Sequence, residues 1–212
     1  FGFVTRLSRP PERVLPPRPR SAEPGLRYCY SYFALYGDPL MDPEVEPFPD
    51  GYLQRLAELG VTGVWLHAVL YQLAEFPWQP ALSAGRERRL ERLAELQEQA
   101  GRAGLRLFLY LNEPRAMPES FFKAHPGLRG APEGDHAAMC TSVPEVGEYV
   151  ERGVAGIARA VPELGGFFTI TASENLTHCW SHGNGTACPR CRTRSPAEVV
   201  AGASALVWRG LQ

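Results

Sequence analysis

Gly165-Gly166-Phe167-Phe168-Thr169-Ile170-Thr171-Ala172-Ser173-Glu174-Asn175, continued by Leu176-Thr177-His178-Cys179-Trp180-Ser181-His182, is the stretch on which the fold of this chain turns. Phe167 to Ile170 are aromatic or β-branched at every position, the composition of a strand covered on both faces. The run ends in a carboxylate, Glu174, and passes into a polar loop with a cysteine in it. Parallel strands leave their sheet at the C-terminal end, and α/β folds gather their chemistry there.

Three earlier runs read as neighbours of this strand. Leu26 to Tyr36 is rich in tyrosine and ends at Gly37-Asp38-Pro39. Val61 to Leu66 follows a short helix that starts at Asp50, carries Leu53, Leu56 and Ala57 on one face, and stops at Gly60. Leu105 to Leu111 follows an amphipathic helix over Arg86 to Ala103, with Leu90, Leu93, Ala94, Gln97 and Ala100 on one side. Met117 to Ser142 reads as irregular, with a short helix at Glu119 to Ala124 and a turn around Pro132 to Asp135. Ser142-Val143-Pro144-Glu145 and Ser195-Pro196-Ala197-Glu198 both have the spacing of a capping box. The first opens a helix with Val146, Val150, Val154, Ile157 and Val161 at helical spacing, the second a last helix ending near Trp208.

Strand and helix thus alternate four times, the pattern of a parallel sheet with covering helices. An open doubly wound sheet and a (β/α) barrel both fit. The glycine fingerprints of dinucleotide and nucleotide folds are absent. Each strand ends instead in polar or aromatic residues: Tyr36 and Asp38, His67, Asn112 and Glu113, Glu174 and Asn175. That layout suits a barrel whose C-terminal rim forms a site. Four units are half of a barrel of about 250 residues. The expected fold is therefore α/β: residues 26–212 as the first half of a (β/α)8 TIM-type barrel, with residues 1–25, rich in Pro and Arg, as a linker or the tail of a preceding domain.

Composition narrows the partners. Twenty-two basic and 23 acidic residues leave a net charge of -1, so no electrostatic case exists for nucleic acid or an anionic membrane. No window approaches the ~18 apolar residues of a membrane span. Composition leaves the compartment open, with the cytoplasm as the expectation and a secreted form as the alternative.

Glu174 is the leading catalytic candidate. A carboxyl group at the end of an apolar strand should have its pKa raised by desolvation, as a general acid needs. Its bland alternative is a solvated loop carboxylate. Glu113 is a second carboxylate or a sugar ligand, or else a turn residue paired with Arg115. His67, Asn112, Asn175, Tyr36 and Trp180 are candidate substrate-binding residues. For His67 a buried structural role is equally plausible, and for Trp180 packing of its own loop is the simpler reading.

Three of the five cysteines fall between Cys179 and Cys191, and Cys188-Pro189-Arg190-Cys191 is a Cys-x-x-Cys knuckle. Two thiolates from a knuckle plus Cys179 leave one tetrahedral position, for which His178, His182 and Cys140 are candidates. His178 is adjacent to Cys179 and awkward, His182 sits better, and Cys140 would make the site all-thiolate. The expectation is a structural zinc site. A redox pair or a local disulfide is the alternative.

The run Gly166 to Asn175, with Thr177-His178-Cys179, Cys188-Pro189-Arg190-Cys191 and Met139-Cys140-Thr141-Ser142-Val143-Pro144-Glu145, resembles bacterial glycoside-hydrolase-like barrels. These are distantly similar to the β-N-acetylhexosaminidase superfamily. The resemblance spans about residues 26–212 and implies a (β/α)8 barrel that hydrolyses a glycosidic bond, with a carbohydrate substrate and the remaining half-barrel as its partners. The superfamily's general acid, at the end of the fourth strand, maps to Glu174. The superfamily has Asp just before that residue, whereas this chain has Ser173. The second carboxylate must then lie elsewhere, or the substrate is not an N-acetylhexosamine. A non-catalytic carbohydrate-binding barrel and a metal-dependent hydrolase are the alternatives.

Overall fold

The computed structural model describes residues 25–31, 33, 37–170 and 175–212. Glu174, Ser173 and Tyr36 lie outside these residues, as does almost all of the segment read as a linker.

Four strands form a parallel sheet: β1 (Tyr28–Tyr30), β2 (Gly63–Ala68), β3 (Arg106–Leu111) and β7 (Gly166–Phe168), in the order β1-β2-β3-β7. Each strand pairs with the one before it, so the sheet grows on one side only. Helices α1 (Asp50–Glu58), α2 (Leu70–Leu73), α3 (Arg86–Arg102) and α5 (Pro144–Ala160) fall in the connections, and α6 (Pro196–Arg209) ends the chain.

The period-two alternation of a strand divides the sheet into two faces. Val64, Leu66 and Ala68 of β2 and Leu107, Leu109 and Leu111 of β3 are buried in the aliphatic core. Val146, Val150, Val154 and Ile157 of α5 are fully buried in the same core, as their spacing predicts. Gly153 lets α5 approach α2 closely; a Cβ there would meet Leu70 Cδ1 at 2.8 Å. Gln97 is the buried polar residue of α3, and its Oε1 accepts from Leu107 N at 2.7 Å. The opposite face is aromatic. Tyr28 stacks on Phe108 with centroids 5.5 Å apart, Tyr110 on Phe168 at 5.1 Å, and Trp65 lies between Tyr30, Tyr110 and Phe168.

The strand that opens the sequence reading is shorter and more open than its composition predicts. Among the described residues only Gly166–Phe168 of this stretch pair with β3, Phe167 and Phe168 are half-buried, and Ile170 is exposed. The reason is position: among the described residues no strand pairs with the far edge of β7, so one side lacks cover. The first strand is likewise described only at Tyr28–Tyr30, beyond which the Ser31 hydroxyl donates to Pro47 O.

The segment read as irregular folds into a second sheet. β4 (Met117–Pro118), β5 (Arg129–Glu133) and β6 (His136–Met139) are antiparallel in the order β4-β6-β5, with α4 (Glu119–Ala124) between β4 and β5. Gly134, at φ +59°, turns the β5–β6 hairpin. Pro118, Gly130, Pro132 and three alanines across the three strands hide them from propensity, because pairing and burial rather than composition hold them.

The two capping boxes part company. Ser195 caps α6 in the full reciprocal pattern with Glu198. Ser142 caps nothing: α5 starts from Val143, with Pro144 in its first turn and no side-chain cap. The Ser142 hydroxyl is instead engaged with Cys191 and Arg194.

Candidate functional site

The C-terminal ends of β2, β3 and β7 converge on one cation. Arg115 lies just past β3, and its Nη2 is 2.5 Å from His67 Nε2 on β2. Its Nη1 donates to Asn175 Oδ1, beyond β7. A guanidinium only donates, so His67 Nε2 is the acceptor here. The planar fork reaches the two partners from two separate nitrogens, whereas a lysine would have to serve both from a single one. Asn112 ties the same region together: its Nδ2 donates to Tyr110 OH at 2.5 Å, and its Oδ1 accepts from Ile170 N at 2.9 Å.

Glu113 does not reach the open rim. Its side chain is completely buried. Oε1 accepts from Leu70 N at 2.8 Å, Oε2 accepts from Arg115 N at 3.0 Å, and Arg115 Nε lies 3.7 Å away. Burial pushes its pKa up to about 7, against the opposing pull of the two backbone donors and the guanidinium. This carboxylate sets the turn after β3 and the start of α2, and so fixes the base of Arg115.

The loop after β7 is packed rather than open. Trp180 is half-buried, donates from Nε1 to Cys191 O at 3.3 Å, and covers Gly185, where a Cβ would meet its ring at 2.2 Å. One side of the indole thus packs on its own loop. His178 is buried, and its Nδ1 accepts from Trp180 N at 3.2 Å.

Four cysteines meet behind this loop. Cys140 follows β6, Cys179 lies past β7, and Cys188 and Cys191 form the knuckle before α6. Their sulfurs all lie within 4.8 Å of one another, and all four residues are fully buried. Such a buried group of thiols could hold a structural metal ion. His182, the ligand favoured by spacing, is not among them. Its Nδ1 pairs with Glu133 Oε2 at 2.5 Å, because the β5–β6 hairpin presents that carboxylate on the far side of the loop. Within the group, a hydrogen bond from Cys179 pulls the Cys140 thiol down to about 5, while that same contact pushes Cys179 far up and burial pushes Cys191 up to about 11.

Arg115 and Tyr110 are the rim residues that sequence reasoning passed over. Arg115 carried a signal, a cation two residues beyond a strand-ending carboxylate, but was read only as a partner for Glu113. Tyr110 looked like core because it sits inside a leucine-rich strand.

The sequence matches no protein-family model and no curated protein. In fold, 88% of the chain is similar to part of a GH138 enzyme targeting pectin rhamnogalacturonan II, with a TM-score of 0.51 and 16% identity over 22% of that enzyme's chain. A GH36 α-galactosidase from Geobacillus stearothermophilus, solved with stachyose, aligns to 88% of the chain at a TM-score of 0.48 and 16% identity over 25% of its own chain. The present chain thus spans about a quarter of either enzyme's length. The likeness to the GH138 enzyme is one of fold: a mixed α/β unit built on a parallel sheet, similar to a domain found in a glycoside hydrolase.

Proposed function

We propose that this chain forms the first half of a (β/α)8 barrel in a glycoside hydrolase, with Glu174 as the general acid. One observation carries the reading: Arg115, just past β3, binds both His67 of β2 and Asn175 of the loop after β7. The one-sided growth of the sheet and the fold likeness to a domain of a GH138 enzyme support it. Asn175 directly follows Glu174, so Arg115 anchors the residue next to the candidate acid.

In this reading Glu174 protonates the leaving oxygen as the sugar gains oxocarbenium character. His67, Arg115 and Asn175 contact sugar hydroxyls. Asn112, Tyr110 and Glu113 position them. The second carboxylate comes from the remainder of the barrel; about 5 Å between the two acids means retention, and roughly 6.5–9.5 Å means inversion. A hexosaminidase-like reaction is the narrower form of the proposal. Ser173 weakens it, because serine cannot stabilise the cationic intermediate that such substrate assistance forms.

The test is a Glu174→Gln variant of the full-length protein, assayed on aryl glycosides and pectic oligosaccharides. The expected loss in kcat is about 10²–10⁴-fold. Unchanged turnover would remove Glu174 from catalysis. A second reading, a carbohydrate-binding barrel without turnover, is favoured by the burial of Glu113, which takes one of the two carboxylates away from the rim. Sugar binding with no hydrolysis of any substrate in the panel would establish it. A metal-dependent hydrolase fits less well, since four clustered thiols leave a metal no open coordination position.

A further inference from the structure

We propose that Cys140, Cys179, Cys188 and Cys191 bind one Zn²⁺ as four thiolates, and that this clasp fastens the loop after β7 to the antiparallel sheet. The first argument is metric. A Zn–S bond of about 2.3 Å sets the edge of an S₄ tetrahedron at about 3.8 Å. Cys140 Sγ lies 3.7 Å from both Cys191 Sγ and Cys188 Sγ. A disulfide needs about 2.05 Å, and all four cysteines are free.

The second argument is the surroundings. Gly130 of β5 leaves room for Cys179: a Cβ there would fall 2.6 Å from its sulfur. Arg194 Nη1 donates to Ser142 Oγ at 2.8 Å, which leaves the hydroxyl proton of Ser142 free to point at Cys191 Sγ, 3.5 Å away. A donor aimed at a sulfur suits a thiolate. Arg190 donates to the carbonyls of Gly127 and Arg129, which adds a further cation on the sheet side of the knuckle. A tetrathiolate zinc centre carries net negative charge, and the arginines around it oppose that charge.

The third argument is what the clasp joins. Cys140 closes the antiparallel sheet, Cys179 lies four residues beyond Asn175, and the knuckle leads into α6. Between Leu176 and Ser195 the chain has one short 3₁₀ turn and no strand. Such a stretch buries little regular structure of its own, and metal binding free energy can hold it in place.

The experiment is metal analysis of the purified protein with thiol counting, followed by cobalt exchange. The expected result is about one zinc per chain, no disulfide, and visible bands of tetrahedral thiolate-bound Co²⁺ after exchange. Cys188→Ser should lower zinc content and abolish those bands, while Cys29→Ser, outside the cluster, should change neither. Metal-free protein that is folded with five reactive thiols, a disulfide among these cysteines, bound iron in place of zinc, or full zinc retention in Cys188→Ser would each overturn the proposal. None of these readouts depends on glycosidase activity.

Discussion

The Leu70 backbone N–H donates to the Glu113 carboxylate at 2.8 Å across 43 residues of sequence. The bond joins the start of α2 to the turn after β3, inside the core. With the second oxygen taken by Arg115 N, the carboxyl group ties the segment after β2 to the turn after β3.

That carboxylate should give stability a pH dependence of its own. Its pKa rises from 4.5 to about 7 on folding. A raised folded pKa means the native state holds the proton more tightly, so the contribution is complete below pH 4.5 and lost as pH rises toward 7. The difference in unfolding free energy between wild type and Glu113→Gln should shift by about 3 kcal/mol across that window. Denaturant titrations at several pH values measure it, and a flat difference would contradict the burial of the charge.

Arg115 should matter more to the site than to the fold. Arg115→Lys keeps a charge but loses the fork that reaches both His67 and Asn175. If the full-length protein hydrolyses glycosides as proposed, kcat/KM should fall about 10–100-fold, roughly 1.4–2.7 kcal/mol. The melting temperature should move little. Steady-state kinetics beside a thermal melt separates the two, and unchanged kinetics would detach Arg115 from the site.

Two serines in the same local pattern should behave differently. Ser195→Ala removes a working cap and should cost about 0.5–2 kcal/mol of stability. Ser142→Ala removes no cap. Its effect should fall on metal affinity, by about 10–100-fold, as loss of a hydrogen bond to a ligand does. Denaturation and competition with a zinc chelator check the pair, and a stability loss for Ser142→Ala in metal-free protein would contradict the assignment.

Two glycines on α5 give opposite signs. Gly156 has open space where a Cβ would stand, so Gly156→Ala should stabilise by about 0.5–1 kcal/mol. At Gly153 the Cβ would press into Leu70 and Ala74, so Gly153→Ala should destabilise by about 1–3 kcal/mol. Equilibrium unfolding of both variants tests whether α5 packs on α2 at this point.

The elements with strong side-chain periodicity were legible at once. The valines of α5, the leucines of β3 and the amphipathic α3 are local patterns, and a helix or strand places them on one face wherever it sits. β4, β5 and β6 were not legible, because two to five residues rich in Pro, Gly and Ala carry no period. Within the site, His67 and Asn175 could be named as strand-end polar residues. Their common partner could not, since Arg115 is 48 residues from His67 and 60 from Asn175.

The sequence determined that four strands alternate with helices, because periodicity and glycine or proline stops act within a few residues. It also marked a cysteine-rich loop beyond the last strand. Only the tertiary structure decided that Cys140 rather than His182 stands with the other three sulfurs, that Ser142 faces a cysteine instead of capping α5, and that Glu113 is buried. These outcomes rest on contacts between residues 43 to 52 positions apart, with Ser142 to Cys191 at 49 and Cys140 to Cys191 at 51. Propensity acts along the chain, whereas these partners meet only when the two sheets and the loop pack together. The stretch from Gly165 to Asn175 shows both sides. Its composition named a strand, and among the described residues the tertiary structure pairs Gly166–Phe168 with β3.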